Sequence, residues 1–139
     1  MKHHTKDKGD KGTGNVIADL LSKGIQVCLP LSEHLPFDLI AVKQDGKLMR
    51  VSVKYRTMKK GIIYVAFKSS YSDSNGVHTK PVNKDLIDLL AIYCPETKEV
   101  YYVIPSDFEK SVTLRIELGN NKQVNNKNIN FAKDYLMVP

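Results

Sequence analysis

The sequence predicts an α/β domain of the α+β kind, a mixed sheet flanked by helices with a polar β-ribbon or loop extending from it. Three stretches predict it. Val16, Ile17, Leu20 and Leu21 recur at the spacing of one helical face, and Gly24 supplies a stop. Two apolar runs rich in β-branched residues, 36–40 and 50–56, flank the turn Gln44-Asp45-Gly46, which is the pattern of an antiparallel hairpin. Residues 87–94 and 99–105 form a second pair of runs around the turn 95–98, and these are apolar almost throughout, as strands covered on both faces are.

In chain order, residues 2–12 are polar and glycine-bearing and read as a flexible lead-in whose basic residues could touch a phosphate backbone. The core helix follows over residues 13–23. Residues 25–29 make a short strand ended by Pro30, and the linker 31–36 carries Glu33 and His34 directly into Asp38. The first hairpin brings Asp38 and Lys54 close together despite their separation in sequence. An apolar setting penalises either charge alone by several kcal/mol, so the pair is either a structural ion pair or part of a reaction centre.

After the hairpin, Arg56, Lys59 and Lys60 form a basic cluster beside Tyr55, and residues 62–67 restart a strand. The segment 68–80 is rich in hydroxyls, with Lys68, Ser70, Tyr71 and Lys80 among them, a mix that donates to phosphates or reads base edges in a groove. Residues 83–86 read as a turn or short helix and 106–109 as a helical turn. Residues 112–118 alternate as a half-buried strand, 119–127 as an asparagine-rich loop, and 129–136 as a short closing helix. No internal repeat or linker divides the 139 residues, a length that suits one domain.

Composition narrows the function. The chain is 42% hydrophobic and 26% charged, the balance of a globular protein, and 21 Lys and Arg against 15 Asp and Glu leave a net charge of +6. A pI near 9.2 favours polyanionic partners through counterion release. Cys28 and Cys94 have no CxxC or Cys/His neighbours, which argues against zinc and for buried free thiols in a reducing compartment. No stretch approaches the length of a membrane span, and the N-terminus has no apolar signal region, so the expected location is the cytoplasm.

Phe37-Asp38-Leu39-Ile40, a turn, and Val51-Ser52-Val53-Lys54, led by a helix and a strand, resemble the core of the PD-(D/E)XK nucleases. The flanking segments Thr5-Lys6-Asp7-Lys8-Gly9-Asp10, Glu33-His34-Leu35-Pro36, Tyr55-Arg56, Tyr71-Ser72-Asp73 with Gly76-Val77-His78, and Tyr93-Cys94-Pro95 are similar to the small homing endonucleases of cyanobacterial group I introns. The likeness runs from Thr5 to about Tyr135. It implies a restriction-endonuclease-like core, double-stranded DNA as substrate, Mg2+ as cofactor and a homo-oligomer, with a tetramer favoured. It further implies that Asp38 and the carbonyl of Val53 ligate the metal and that Lys54 positions or activates the attacking water.

Two positions depart from the family pattern. Ser52 stands where such enzymes carry Gln, and Thr13-Gly14 where a glutamate is expected, with Asp10 the nearest substitute as a metal ligand. The expected site is therefore Asp38, Ser52 and Lys54, with Asp38 and Asp10 as metal ligands. His34, Arg56, Lys59, Lys60, Lys68, Ser70, Tyr71 and Lys80 are the expected DNA contacts. The departures also allow a DNA-binding protein of the same fold that has lost cleavage. A Holliday-junction-type resolvase shares the core but fits the flanking segments less well.

Overall fold

The structure is a computed structural model, and it describes residues 4–116 and 129–139. Helix α1 spans His4–Ser22, and ten strands follow: β1 Gln26–Cys28, β2 Leu39–Val42, β3 Leu48–Tyr55, β4 Ile62–Ala66, β5 Lys68–Asp73, β6 Gly76–Pro81, β7 Leu89–Cys94, β8 Glu99–Val103, β9 Ser111–Arg115 and β10 Asn130–Phe131. Five of them form a mixed sheet in the order β1-β2-β3-β7-β8, antiparallel except where β3 runs parallel to β7.

Strand alternation sorts this sheet into two faces. Leu39, Ala41, Met49, Val51, Leu89, Ala91 and Tyr102 point to α1 and meet Val16 and Leu20, both 0% exposed. Fully burying one such aliphatic side chain contributes about 1.5–3 kcal/mol, so this layer is a main source of stability. Leu90, Ile92, Cys94, Tyr101 and Val103 point the other way and meet Ile63, Val65, Val112 and Leu114 of a second sheet, ordered β10-β9-β4. Helical cover is thus met on one face by α1, while among the described residues the other face is covered by strands. The apolar second hairpin is doubly covered, as its composition predicts, but it is not central: it stands at one side of the sheet with β8 as the edge strand.

Parallel neighbours cannot be joined by a tight turn, so the chain between β3 and β7 makes a long crossover. Here the crossover carries β4 and the ribbon β5-β6 on the face away from α1. Arg50 and Asp88 tie the start of β3 to the start of β7, where the crossover arrives. The Asp88 carboxylate accepts from the Arg50 backbone N–H at 2.7 Å and from its guanidinium at 2.9 and 3.0 Å, and the Asp88 N–H donates to the Arg50 carbonyl. These bonds to the guanidinium hold the Asp88 carboxyl below its ordinary range.

Several sequence expectations need correction. Residues 4–12, read as a flexible lead-in, are helical, and α1 is much longer than expected. Asp7 lies in its first turn and stands four residues before Lys11, both favourable placements for a helix. Gly12 is buried where α1 packs on β3, and a Cβ there would stand 3.5 Å from Val53 and Tyr55. At the other end Gly24 has φ +75°, and Ile25 and Gly24 donate back to the carbonyls of Leu20 and Leu21, the Schellman closure that ends the helix.

Cys28, expected to be buried, is exposed, because β1 is the edge strand and Cys28, paired with Ile40 on the face away from α1, lies outside the cluster that the second sheet covers. Cys94 is buried as expected and donates to Glu96 Oε2 at 3.3 Å. Leu21 is 48% exposed rather than core. Residues 129–136, expected as a short closing helix, form β10 and then a 3-10 helix confined to Ala132–Tyr135. The asparagine-rich segment 119–127, and residues 117–118 of the expected strand, lie outside the described residues. No described helix is long and apolar enough to cross a membrane.

Gly9 and Gly14 stand in α1 with open space where a Cβ would be. Replacing either with Ala should stabilise the protein by about 0.5–1 kcal/mol and raise helical circular dichroism, since a helix-interior glycine carries that entropic cost. A Gly9→Ala change with no gain would mean that the first two turns are not helical in solution.

Candidate active site and DNA interface

The site forms where β2 peels away from β3. The last pair in their ladder is Leu39 opposite Val51, and one residue further on Asp38 stands opposite Ser52. The Asp38 N–H still donates to the Val51 carbonyl at 2.8 Å. Beyond that point the β3 edge is open, and the exposed Asp38 side chain closes part of it, Oδ2 accepting from the Val53 N–H at 2.6 Å. The N–H and C=O of one strand residue point to the same edge, so the Val53 carbonyl faces the gap that Asp38 borders.

By the period of two, Asp38, Ser52 and Lys54 share the face away from α1. The structure thus brings these three residues together. Asp38 and Lys54 make no ion pair within 4 Å among the described residues, so the structural-pair reading is not the arrangement found. Ser52 is 7% exposed, the only buried polar residue among those described. It borders a small void of about 20 Å3 with Lys54, Phe67, Lys84 and Leu90.

Lys54 is half-buried. Burial pushes its amine below the ordinary lysine value, the neighbouring Arg56 guanidinium pushes in the same direction, and Asp38 opposes them. An amine that sheds its proton more easily is suited to orienting or deprotonating water. Arg56 folds back to donate to the Tyr55 carbonyl at 2.9 Å, and its own N–H donates to the Tyr93 carbonyl. Lys84, which the sequence reading did not single out, is a supporting residue. Its ammonium donates to the carbonyls of Phe108 and Glu109 at 2.5 and 2.7 Å, 5.6 Å above the Phe67 ring.

A single carboxylate, a backbone carbonyl and a hydroxyl are a sparse set of oxygen donors. They nevertheless suit Mg2+, which keeps several waters and takes other ligands from substrate phosphates. Among the described residues no three His, Cys, Asp or Glu side chains cluster to hold a metal. Asp10, expected as a second acidic ligand, is exposed on α1, two residues before the Gly12 contact with β3. At about 100° per residue it points to the opposite side of the helix from that contact. This geometry leaves Asp10 out of the site.

The expected DNA contacts fall into three groups. Lys59 and Lys60 are exposed on a tight turn, in which Lys59 and Ile62 exchange backbone hydrogen bonds and Lys60 and Gly61 have φ +52° and +76°. His34 and Lys80 line one groove of about 500 Å3 with Pro36, Ser69, Asn83 and Leu86, beside the segment that delivers Asp38. The ribbon β5-β6 is two-stranded and largely exposed on both faces. Its register puts Ser69 opposite Lys80 and Tyr71 opposite His78 on one face, and Ser70 opposite Thr79 on the other.

Lys68 and Ser70 therefore face away from Tyr71 and Lys80, so the expected contacts on the ribbon are split between its two faces. Ser69 and His78 bound the segment expected to read bases, whereas Asn83 was not singled out. Counting by twos from the turn between Asp73 and Gly76 places the first two on one face, and Asn83 joins the groove only through the fold.

A family model described as PD-(D/E)XK endonuclease matches residues 3–138. No curated protein matches the sequence. Among solved structures, the bacterial homing endonuclease I-Ssp6803I is similar, with a TM-score of 0.70 and 20% sequence identity over 96% of this chain and 88% of that one. This likeness shows the fold.

The Lys54 shift has a consequence for stability. The folded-state pKa lies below the unfolded value, so the charged amine costs stability at neutral pH, and that cost fades as pH rises toward the ordinary value of 10.5. Lys54→Met should accordingly raise the unfolding midpoint near pH 7 and lose this advantage near pH 10. A gain that does not depend on pH would show that desolvation of the charge is not its source.

Proposed function

The chain belongs to the PD-(D/E)XK endonuclease family, and on that premise we propose that it is a sequence-specific, Mg2+-dependent endonuclease of double-stranded DNA, of the intron-homing kind and acting as a homo-oligomer. The observation that carries this reading is the open β3 edge. There an exposed carboxylate, a backbone carbonyl and a lysine of lowered pKa border one gap, with a groove and a basic turn at hand.

The family assignment supports the chemistry, and the fold shared with a homing endonuclease supports the biological role. A tetramer is favoured by the same resemblance, and the cytoplasm is its expected place of action.

In this reading Asp38 and the Val53 carbonyl would hold the cation, with the Ser52 hydroxyl opposite. A bound divalent cation supplies neutralisation of the charge that builds on the phosphate and on the leaving oxygen. Lys54 orients the attacking water and takes up its proton, which its lowered pKa favours. Asp38 fixes the reacting edge through its bond to the Val53 N–H. Arg56 sits where it keeps the Lys54 pKa low and can meet a phosphate. His34 and Lys80 bind the strand where it passes along the groove, and Lys59 and Lys60 add non-specific attraction to the backbone.

The departures at Ser52 and Thr13 favour one competing reading, a DNA-binding protein of this fold that no longer cuts. Cleavage of a randomised duplex library separates the two. The parent protein should cut a narrow set of sequences with Mg2+ or Mn2+, lose cutting in EDTA, and lose it with Lys54→Ala. Selective binding without cutting, even in Mn2+, would establish the competing reading.

Replacing Lys59 and Lys60 together with Ala should weaken binding to all sequences alike. The slope of log K against log salt should become shallower by about 1.8, at roughly 0.9 per phosphate contact. A change in sequence preference would show instead that these lysines touch bases.

A further inference from the structure

The ribbon β5-β6 poses a problem of stability. Two strands with no core behind them are marginal in water, and most ribbon side chains here are exposed. Two cross-strand contacts and one bond within the turn hold its tip. Tyr71 stacks on His78 with ring centroids 5.1 Å apart and planes at 27°, His78 Nε2 bonds Asp73 Oδ1 at 2.9 Å, and the same oxygen accepts from the Asn75 N–H at 2.7 Å. All of the side chains in these features belong to one face. It is the face of Ser69 and Lys80, which also line the groove beside His34 and Pro36. The organised face of the ribbon is therefore continuous with the approach to Asp38.

Resting on the DNA-endonuclease reading, we infer that this face enters the major groove and that His78 is a specificity-determining residue, accepting a hydrogen bond from an amine-bearing base, adenine or cytosine. A two-stranded ribbon is one of the elements the major groove admits. The Asp73 carboxylate can only accept, so the bonded Nε2 carries a proton, and in the tautomer protonated there alone Nδ1 is the ring's acceptor. In the major groove adenine N6 and cytosine N4 are the donors that match it.

Tyr71 fixes the ring plane, and Asp73 fixes which nitrogen points outward. Both are positioning residues. Successive pairs on one ribbon face are about 6.8 Å apart, close to two base-pair steps, so Ser69 and Lys80 fall two steps from the base read by His78. Ser70 and Thr79, on the opposite face, take no part in reading.

The test is selection of bound sequences from a randomised duplex library without divalent metal, together with the salt dependence of binding, for the full chain and its variants. His78→Ala and His78→Phe should each lose preference for adenine or cytosine at one position of the target. The loss should be about fivefold, the worth of one hydrogen bond, with the salt slope unchanged. His78→Phe keeps a ring to stack on Tyr71 and removes both nitrogens, so it separates reading from support of the ribbon. Ser70→Ala should keep the parent profile.

Parent-like selection by His78→Phe would overturn the inference, as would a uniform loss over all sequences or a preference that moves with Ser70→Ala. A parent that selects no sequence overturns the endonuclease reading as well, whereas a selective parent with unchanged His78 variants overturns this inference alone.

Discussion

The parallel pairing of β3 with β7 is the constraint on which the rest of this structure depends. Parallel strands need a crossover, and the crossover must lie over one face of the sheet. With α1 on one face, β4 and the ribbon take the other, which is the face that carries Ser52 and Lys54. The reacting residues and the elements placed to hold DNA thus stand on the same side. The Arg50 and Asp88 bonds fix the start of β7 against the start of β3, so they secure the site's register indirectly.

The site itself is a defect in a regular ladder. A continuing β2 would satisfy the N–H and carbonyl of Val53, and no oxygen donor would face outward. Because β2 stops at Leu39, the Asp38 carboxylate takes the N–H and the carbonyl of Val53 points to the opened edge. Hydrogen-bond satisfaction and function coincide at this point. Lys54 adds a charge to a half-buried place, and the cost of that desolvation is also what lowers its pKa. Stability is given up at the position where the chemistry needs a less protonated amine.

Away from this edge the lysines serve different purposes, which composition cannot separate. Lys84 satisfies two carbonyls and covers Phe67, Lys23 bonds Asp19 at 2.7 Å beside Tyr102, and Lys59 and Lys60 stand free on a turn. A positive net charge therefore marks the class of partner, and position decides which cations meet it.

Local pattern determined the elements and the identity of the central pair. An Asp-Gly turn between two apolar runs places Asp38 near Lys54 whatever surrounds them, because hairpin register follows from the turn. Period two would also have sorted the ribbon residues by face. Tertiary structure decided what depends on distant segments. The packing of α1 on the sheet through Gly12, Val16 and Leu20 depended on distant strands, the exposure of Cys28 on β1 lying at the sheet edge, and the exclusion of Asp10 on the rotation of α1 over β3. The groove of His34, Lys80 and Asn83 likewise exists only because the crossover returns beside the linker to β2. Backbone geometry within a hairpin is encoded by neighbours, whereas burial and convergence are set by packing between parts of the chain that do not adjoin in sequence.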